Sequence, residues 1–383
     1  MLTGRDITVL GAGIGGLATA AALAARGARV QVVEQAPALR EVGAGLQISP
    51  NGVAVLDALG LADAARACAP AARAVWLKDG PSGRQVARIP LTGPRPYLMF
   101  HRADLVGLLH ARATDLGVTF RFGQRVTGVG PGPTIAIDGA APTQAGFLVG
   151  ADGLHSVLRP HLNGPAQPFF TGQVAYRAVI AGDTAPDPTV FMGPGRHLVR
   201  YPLGGGRVNL VGIEERSQWA LESWSAPGDP DAMRAAFAGF GAEARASLDK
   251  VTTVNLWGLF RHPLAARWTG PGVALVGDAA HPTLPFMAQG ANMALEDAWV
   301  LADCLAGAGP DRLERYQSLR QPRVARAIAA ANANARNYHL TTPLLRPAAH
   351  LALRALTGAA PSLLTRQFDW LYHHDVTRPG SGA

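Results

Sequence analysis

The chain has 383 residues, 48% of them hydrophobic and 16% charged, a composition that excludes disorder as the dominant state. Its formal charge of +8 does not indicate nucleic-acid binding, because no run of basic residues is interleaved with aromatic ones. The two cysteines, Cys68 and Cys304, form no CxxC motif, which excludes a disulfide framework and a thiolate zinc site. We therefore expect a cytoplasmic protein without a metal centre.

The N-terminus has the pattern of a mononucleotide-binding unit. Residues Asp6 to Leu10 predict a buried strand, Ile14 to Arg26 an alanine-rich helix, and Arg29 to Glu34 a second strand. The stretch from Ile7 to Ala25 carries no charge, but four glycines interrupt it. The sequence therefore predicts strand, turn and helix here, and no membrane span.

The loop between this strand and helix fits G-x-G-x-x-G at Gly11, Gly13 and Gly16. The first glycine permits a tight turn, the second lets the backbone approach a pyrophosphate, and the third lets helix and strand pack closely. Glu34 ends the second strand, where an acid accepts hydrogen bonds from an adenosine ribose. The pattern predicts dinucleotide binding without distinguishing FAD from NAD.

Two later strands each lead to an aspartate. The apolar strand from Phe147 turns at Asp152 and Gly153, and the strand from Val273 ends at Asp278. Ligands of α/β sheets bind at the carboxyl ends of the strands, so both carboxylates are candidates for ligand contact.

A helix beginning near Asn292 and ending before Gly307 is predicted by an apolar stripe that includes Leu295. Gly290, Ala291 and Asn292 would present backbone N–H groups at its N-terminus. Small side chains at these positions let a planar ring approach.

Between Ala166 and Arg261 the pattern changes to short alternating segments separated by Gly and Pro. This pattern predicts a second, largely antiparallel sheet. In the middle segment, the period of two places His197, Val199 and Tyr201 on one face.

Taken in order, the glycine loop, the Asp152 segment and the Asp278 segment resemble the three signatures of the single-component FAD-dependent aromatic hydroxylases. Segments 43–51 and 285–298 look closest to the salicylate hydroxylase and 3-hydroxybenzoate 6-hydroxylase branch, although Ala288 stands where that family often has glycine. The resemblance implies FAD as cofactor and NADH or NADPH as transient co-substrate. It also implies O2, a small aromatic substrate and a monomer or homodimer.

The implied fold class is α/β, with the p-hydroxybenzoate hydroxylase fold. It comprises a Rossmann-like FAD-binding domain, an inserted, largely antiparallel β-sheet substrate domain, and C-terminal helices. We expect the FAD-binding domain at 1–70, 98–165 and 265–330, the substrate domain at 71–97 and 166–264, and a helical region with a disordered tail at 331–383.

The family's cofactor contacts can be carried over residue by residue. The resemblance assigns Asp278 to the flavin ribityl chain, Arg102 to the flavin side of the cofactor, and Asp152 to FAD and NAD(P)H contacts. Arg40 is a further candidate for the flavin or nicotinamide side. For each arginine, a solvated surface charge is the alternative interpretation.

Hydroxybenzoate-type members use a His and a Tyr at the spacing of His197 and Tyr201, with a Gln that corresponds to Gln289. The resemblance therefore implies that His197 deprotonates or orients a phenol and that Tyr201 and Gln289 position it. A neutral imidazole suits proton removal near pH 7. A structural hydrogen-bond network is the alternative role for His197.

The expected reaction is NAD(P)H- and O2-dependent hydroxylation of a small phenolic or heteroaromatic acid through a flavin C4a-hydroperoxide. A quinone precursor or a polyketide-type phenol is the alternative substrate. An NAD-dependent dehydrogenase without flavin and a non-catalytic flavin-binding protein are rival classes. The Asp152 and Asp278 segments disfavour the dehydrogenase.

Overall fold

The computed structural model describes residues 1–39, 44–219, 226–342, 345–359 and 366–378, with the backbone alone at 334–337. The strands are β1 (Asp6–Leu10), β2 (Arg29–Val33), β3 (Gly45–Ile48), β4 (Ala71–Ala72), β5 (Ala74–Asp79), β6 (Gln85–Pro90), β7 (Tyr97–His101), β8 (Thr119–Arg121), β9 (Val126–Val129), β10 (Thr134–Ile137), β11 (Thr143–Gln144), β12 (Phe147–Gly150), β13 (Phe169–Ala181), β14 (Thr189–Gly193), β15 (Arg196–Leu203), β16 (Arg207–Glu215), β17 (Pro227–Gly228), β18 (Val254–Arg261), β19 (Thr269–Gly270) and β20 (Val273–Leu275). The helices are α1 (Ile14–Ala24), α2 (Pro50–Ala58), α3 (Ala62–Cys68), α4 (Arg102–Asp115), α5 (Leu158–Asn163), α6 (Pro230–Ala236), α7 (Ala242–Leu248), α8 (Gly290–Ala306), α9 (Arg312–Tyr338), α10 (Leu345–Ala359) and α11 (Asp369–Tyr372).

The first sheet has the strand order β19-β20-β12-β1-β2-β8 and is parallel except at β19. Helix α1 connects β1 to β2, which confirms the predicted strand–helix–strand unit. The helix ends at Ala24 rather than Arg26, because the chain turns there and Arg26 N–H bonds the carbonyl of Leu23. The carboxyl ends of β1, β2, β12 and β20 meet at one edge, where a ligand can lie across them.

The second sheet has the order β17-β18-β13-β16-β15-β14-β5-β6 and is antiparallel except between β14 and β5. This confirms the predicted second, largely antiparallel sheet. Helices α6 and α7, which the alternating pattern did not predict, cover one face through Met233, Phe237 and Leu248. The opposite face is left to line a cavity against the first sheet.

Two long helices pack behind the first sheet. Helix α8 lies against α1 and α9, and α9 runs across residue 331, where we expected the C-terminal region to begin. The domain limits themselves stay a prediction, and residues 379–383 of the expected tail lie outside the described part of the chain. No helix in the described ranges is both long enough and apolar enough to cross a membrane.

Candidate functional site

A cleft begins at the carboxyl ends of β1, β2 and β12 and is lined there by Gly11, Gly13, Glu34 and Asp152. Gly11 has φ 95°, a left-handed conformation that glycine adopts without strain. Beside it, a Cβ atom on Gly16 would overlap the carbonyl oxygen of Gly11, so the third glycine permits the close approach of helix and turn. Apart from its neighbours in the chain, no atom of the described residues lies within 4 Å of a Cβ built on Gly13, which leaves room for a ligand.

The Glu34 carboxylate closes this turn from the next strand. Its Oε2 accepts a hydrogen bond from Ala12 N–H at 2.7 Å, and its Oε1 accepts one from Ala36 N–H at 2.8 Å. A carboxylate has about four acceptor positions, so lone pairs remain for ribose hydroxyls.

Asp152 carries an unsatisfied buried atom at the same end of the cleft. Its Oδ2 accepts a hydrogen bond from Val157 N–H at 2.8 Å, whereas Oδ1 is buried without a hydrogen-bond partner in the described part of the chain. Burial raises the pKa of this carboxyl above its ordinary value. An orphaned acceptor of this kind fits a hydroxyl or N–H group supplied by a ligand.

The cleft continues past Gly13, Ala151 and Gly153 into a second cavity of about 250 Å³ between the two sheets. We call this second cavity the ring end of the cleft. Asp278 and Arg102 line it. Burial raises the pKa of Asp278, and the positive charge of Arg102 offsets part of that rise. A carboxylate and a guanidinium here suit the hydroxyls and the polar edge of a flavin.

The loop before α8 forms one wall of the ring end. Ala288 has φ 52°, so an alanine holds the left-handed conformation here, at a cost of roughly 1 kcal/mol relative to glycine. Met293 N–H is bonded back to Gln289, and the preceding N–H groups of Gly290 and Ala291 therefore lie in the unpaired first turn of the helix, where both residues line the cavity. This arrangement offers a positive dipole end to a ligand.

Asn292 does not line the cavity; its side chain holds the loop together. Its Oδ1 accepts from Ser49 N–H at 3.0 Å, and its Nδ2 donates to the carbonyls of Gln47 and Ala288 at 3.1 and 2.8 Å. Its own backbone N–H still belongs to the first turn of α8.

Gln289 lines the cavity, but its amide is also bonded within the protein. Nε2 donates to Ser49 Oγ at 3.0 Å, and Oε1 accepts from Asn51 Nδ2 at 3.3 Å. An amide has further donor and acceptor capacity, so the predicted positioning role stays a prediction.

The floor of the ring end is the uncovered face of the second sheet. His197, Val199 and Tyr201 of β15 all line the cavity, in agreement with the predicted alternation. Val211 of β16 lies opposite Val199 on one side and opposite Arg177 of β13 on the other. Three strands thus bring an imidazole, a phenol and a guanidinium to one surface.

His197 is buried and its Nδ1 lies 2.6 Å from Nε2 of His339. Burial and the neighbouring ring hold the pKa of His197 well below its ordinary value, so the imidazole is neutral at pH 7. Burial also raises the pKa of Tyr201, which is therefore a neutral phenol. A neutral imidazole can accept a proton, and a neutral phenol can donate a hydrogen bond.

Arg177 is a site residue that the sequence reasoning missed. Its Nε has no hydrogen-bond partner, no carboxylate in the described ranges forms an ion pair with it, and its guanidinium lies 5.0 Å from the ring centre of Trp257. Burial lowers its pKa, although an arginine stays charged. The available signal was an arginine within one of the alternating segments between Ala166 and Arg261.

A buried ionic network behind the loop was also missed. Arg320 of α9 bonds Glu296 and Asp297 of α8, and Asp297 also bonds His281 and Gly277 N–H. Burial alone would raise the pKa of both carboxyls. Arg320 and Arg323 instead hold the pKa of Glu296 at about 2, and the interactions with His281 and Arg320 hold that of Asp297 at about 2. Two consecutive acids within a predicted apolar helix were the signal for this network.

The structure brings most of the predicted site residues into one continuous cleft, while Gly16 and Asn292 support its loops and Arg40 lies outside the described residues. Those at the two ends of the cleft are Gly11, Gly13, Glu34 and Asp152 at the first, and Arg102, His197, Tyr201, Asp278, Gln289, Gly290 and Ala291 at the second.

Comparison with known proteins agrees with this geometry. The family model described as "FAD binding domain" matches residues 5–331. The 3-amino-4-hydroxybenzoate 2-monooxygenase of Streptomyces cremeus is 38% identical over 361 residues, covering 88% of this chain and 89% of that protein. The 3-hydroxybenzoate 6-hydroxylase of Klebsiella oxytoca is 35% identical over 388 residues, covering 95% of each.

A solved structure also superposes along the full length. The crystal structure of Klebsiella pneumoniae HpxO with FAD and uric acid has a TM-score of 0.84 and 27% identity, covering 100% of this chain and 98% of that one. The resemblance inferred from three motifs is therefore confirmed, as are the fold class and FAD as the cofactor. This chain belongs to the FAD-binding family of FAD-dependent aromatic monooxygenases.

Proposed function

We propose that this protein uses NAD(P)H and O2 to hydroxylate a small phenolic or heteroaromatic acid. The observation that carries the proposal is Arg177, a cation in the wall of the ring end that no carboxylate of the described chain neutralises. Arg177 is half-buried with its Nε enclosed, and an anionic substrate would offset the cost of enclosing a charge without a counterion.

The ring end provides three contacts for such a substrate. Arg177 can bind the carboxylate in a bidentate manner, because its planar guanidinium presents two parallel N–H groups. His197 can accept the phenol proton, and Tyr201 can donate a hydrogen bond from the same sheet face. Removing the phenol proton makes the ring carbon a better nucleophile toward an electrophilic oxygen.

At the other end of the cleft, Glu34 would hold the adenosine ribose, and Asp152 would contact the FAD or the NAD(P)H. Asp278 and Arg102 would hold the flavin side of the cofactor, with Gly290, Ala291 and Asn292 directing N–H groups toward its ring. When bound, FAD supplies the redox chemistry by accepting a hydride from NAD(P)H and reacting with O2 in its reduced form. The cytoplasmic location and the monomeric or dimeric state stay predictions.

The test compares matched acids and uncharged phenols. The FAD-loaded protein is mixed anaerobically with NADH or NADPH and with 3-amino-4-hydroxybenzoate, 3-hydroxybenzoate, salicylate or 6-hydroxynicotinate, and flavin reduction is followed by absorbance. The corresponding phenols and hydroxypyridine, which lack the carboxylate, serve as controls. Products formed in air are identified by mass spectrometry as the gain of one oxygen atom, with or without loss of the carboxylate.

We expect at least one acid to accelerate flavin reduction and to be hydroxylated. Its uncharged counterpart should accelerate reduction less and give less hydroxylated product. Arg177→Met should raise KM for the acid about tenfold or more, because a hydrogen bond to a charged group is lost. Arg200→Met removes an equal charge from the opposite face of β15, where Arg200 bonds Glu243, and should leave KM unchanged. Equal action on acids and uncharged phenols would overturn the assignment of an acid substrate.

A further inference from the structure

A line of hydrogen-bonded titratable groups runs from the ring end to the protein surface. His197 Nδ1 lies 2.6 Å from His339 Nε2, and His339 Nδ1 lies 2.8 Å from Glu215 Oε1. His197 and His339 are 2% and 5% exposed, whereas the Glu215 side chain is 49% exposed. The line therefore begins at the cavity, passes through the interior and ends in solvent.

The fold assembles this line from two strands and the end of a helix. His197 of β15 lies opposite Ile213 of β16, and Glu215 follows two residues later on the same strand face. His339 directly follows the last residue of α9, and Tyr338 places its ring 5.2 Å from that of His197. Both imidazoles are therefore buried along this part of the path.

The chemistry of the three groups fixes the direction of each hydrogen bond. A carboxylate only accepts, so Nδ1 of His339 donates its N–H to Glu215. Nε2 of His339 then carries a lone pair and accepts from Nδ1–H of His197. This leaves a lone pair on Nε2 of His197, which has no hydrogen-bond partner among the described residues, in a side chain that lines the cavity.

We propose that His339 and Glu215 relay the substrate proton from His197 to solvent; this inference rests on the proposed function, because the substrate hydroxyl is the proton donor. The hydroxyl O–H bond breaks and its proton joins Nε2 of His197. The Nδ1 proton of His197 passes to Nε2 of His339, and the Nδ1 proton of His339 passes to the Glu215 carboxylate, which releases it to water. One proton leaves, both imidazoles end neutral, and the reverse transfer restores them while protonating the product.

The surroundings keep both imidazoles able to pass a proton on. Burial lowers the pKa of His339, Glu215 opposes that effect, and the charge of Arg196 adds to it. Among the residues whose side chains the structure describes, the titratable and charged groups that face the pair are Glu215, Arg196 and Tyr338. A strongly basic imidazole would trap the proton as an imidazolium, whereas weakly basic ones transmit it.

The test measures the rate at which a bound phenol ionises. The probe is 4-hydroxy-3-nitrobenzoate, whose phenolate is coloured, bound to the FAD-loaded enzyme without NAD(P)H. A stopped-flow pH jump from acid to neutral conditions is followed as a difference spectrum against the enzyme alone. We expect His339→Gln to slow ionisation about tenfold or more and to leave the probe Kd within about twofold.

Glu215→Gln should slow the same step by a smaller factor, because water can replace an exposed acceptor. Two matched controls should leave the rate unchanged. Gln173→Ala removes a side chain whose Nε2 lies 3.4 Å from His339 Nδ1 but which is outside the path. Glu214→Gln removes the neighbouring carboxylate of β16, which bonds Arg216 instead.

The outcomes separate the relay from the proposed function. A wild-type enzyme that fails to bind or ionise the probe would contradict the proposed function itself. A wild-type enzyme that ionises it, with an unchanged rate in His339→Gln, would overturn the relay alone. If His339→Gln does not fold, Glu215→Gln decides, because this exposed substitution leaves the interior intact, and an unchanged rate there also overturns the relay.

Discussion

The two ends of the cleft are built in different ways. The first end, which we call the adenosine end after the group proposed to bind there, is lined by Gly11, Gly13, Glu34 and Asp152. The first three lie within one strand–helix–strand unit, and Asp152 follows the neighbouring strand. The ring end takes side chains from both sheets and from the loop before α8, and its residues are separated by long stretches of sequence. Backbone geometry dominates the first end, and side-chain placement dominates the second. Perturbations distant in the sequence should therefore affect the ring end most.

The largest effect is expected from Arg320→Met, which removes the arginine that bonds both Glu296 and Asp297 and leaves Arg323 bonded to Glu296. Glu296 and Asp297 would remain buried, but the positive charge of Arg320 would no longer offset their negative charges. The free energy of unfolding should therefore fall by about 3–5 kcal/mol. Chemical denaturation followed by tryptophan fluorescence measures this change. Arg66→Met, which breaks an exposed ion pair with Asp57, should cost less than about 1 kcal/mol. Equal costs would show that the buried network contributes no more to stability than an exposed ion pair.

The same network has a definite pH dependence. The pKa values of Glu296 and Asp297 are lowered to about 2 from ordinary values of 4.5 and 3.8. Their contribution to stability is therefore present above those ordinary values and is lost as the pH falls toward 2. The free energy of unfolding of the wild type should fall steeply over that range, and that of Arg320→Met should fall less. Parallel pH curves would contradict this origin of the stability.

An intermediate effect is expected from Asp278→Asn. The asparagine keeps the shape of the side chain but removes its charge, which in the proposed function strengthens hydrogen bonds to flavin hydroxyls. The Kd for FAD should rise about tenfold to a hundredfold, as measured by quenching of flavin fluorescence. Asp138→Asn, on an exposed turn, is the control and should leave the Kd unchanged. An unchanged Kd in Asp278→Asn would remove this residue from the cofactor site.

The smallest effect is expected from Glu34→Gln at the adenosine end. The glutamine oxygen can still accept one of the two N–H bonds that now hold Ala12 and Ala36, so the turn is largely kept. The Kd for FAD should rise about threefold to tenfold in the same titration. A larger loss here than in Asp278→Asn would reverse the comparison between the two ends.

Sequence reasoning succeeded where a short segment defines its own geometry. The glycine loop and the two aspartates at strand ends line one cleft, because parallel strands bring their carboxyl ends to one edge. It also placed His197 and Tyr201 on one face of a strand, since alternation follows from the backbone alone. It assigned Asn292 only a backbone N–H at the start of α8 and missed the bonds of its side chain, because those depend on where β3 passes relative to α8.

The sequence by itself therefore determined the family, the cofactor and most of the residues that line the cleft, because local motifs impose local backbone shapes. Only the tertiary structure decided which charges would be unpaired and which titratable groups would meet. In the sequence, nothing distinguishes Arg177 from the other arginines; in the fold, it lies between the sheets without an ion pair to any described carboxylate. His339 is 142 positions from its partner His197. Electrostatic and hydrogen-bonding roles depend on distances of a few ångströms between such remote residues, and sequence spacing does not encode those distances.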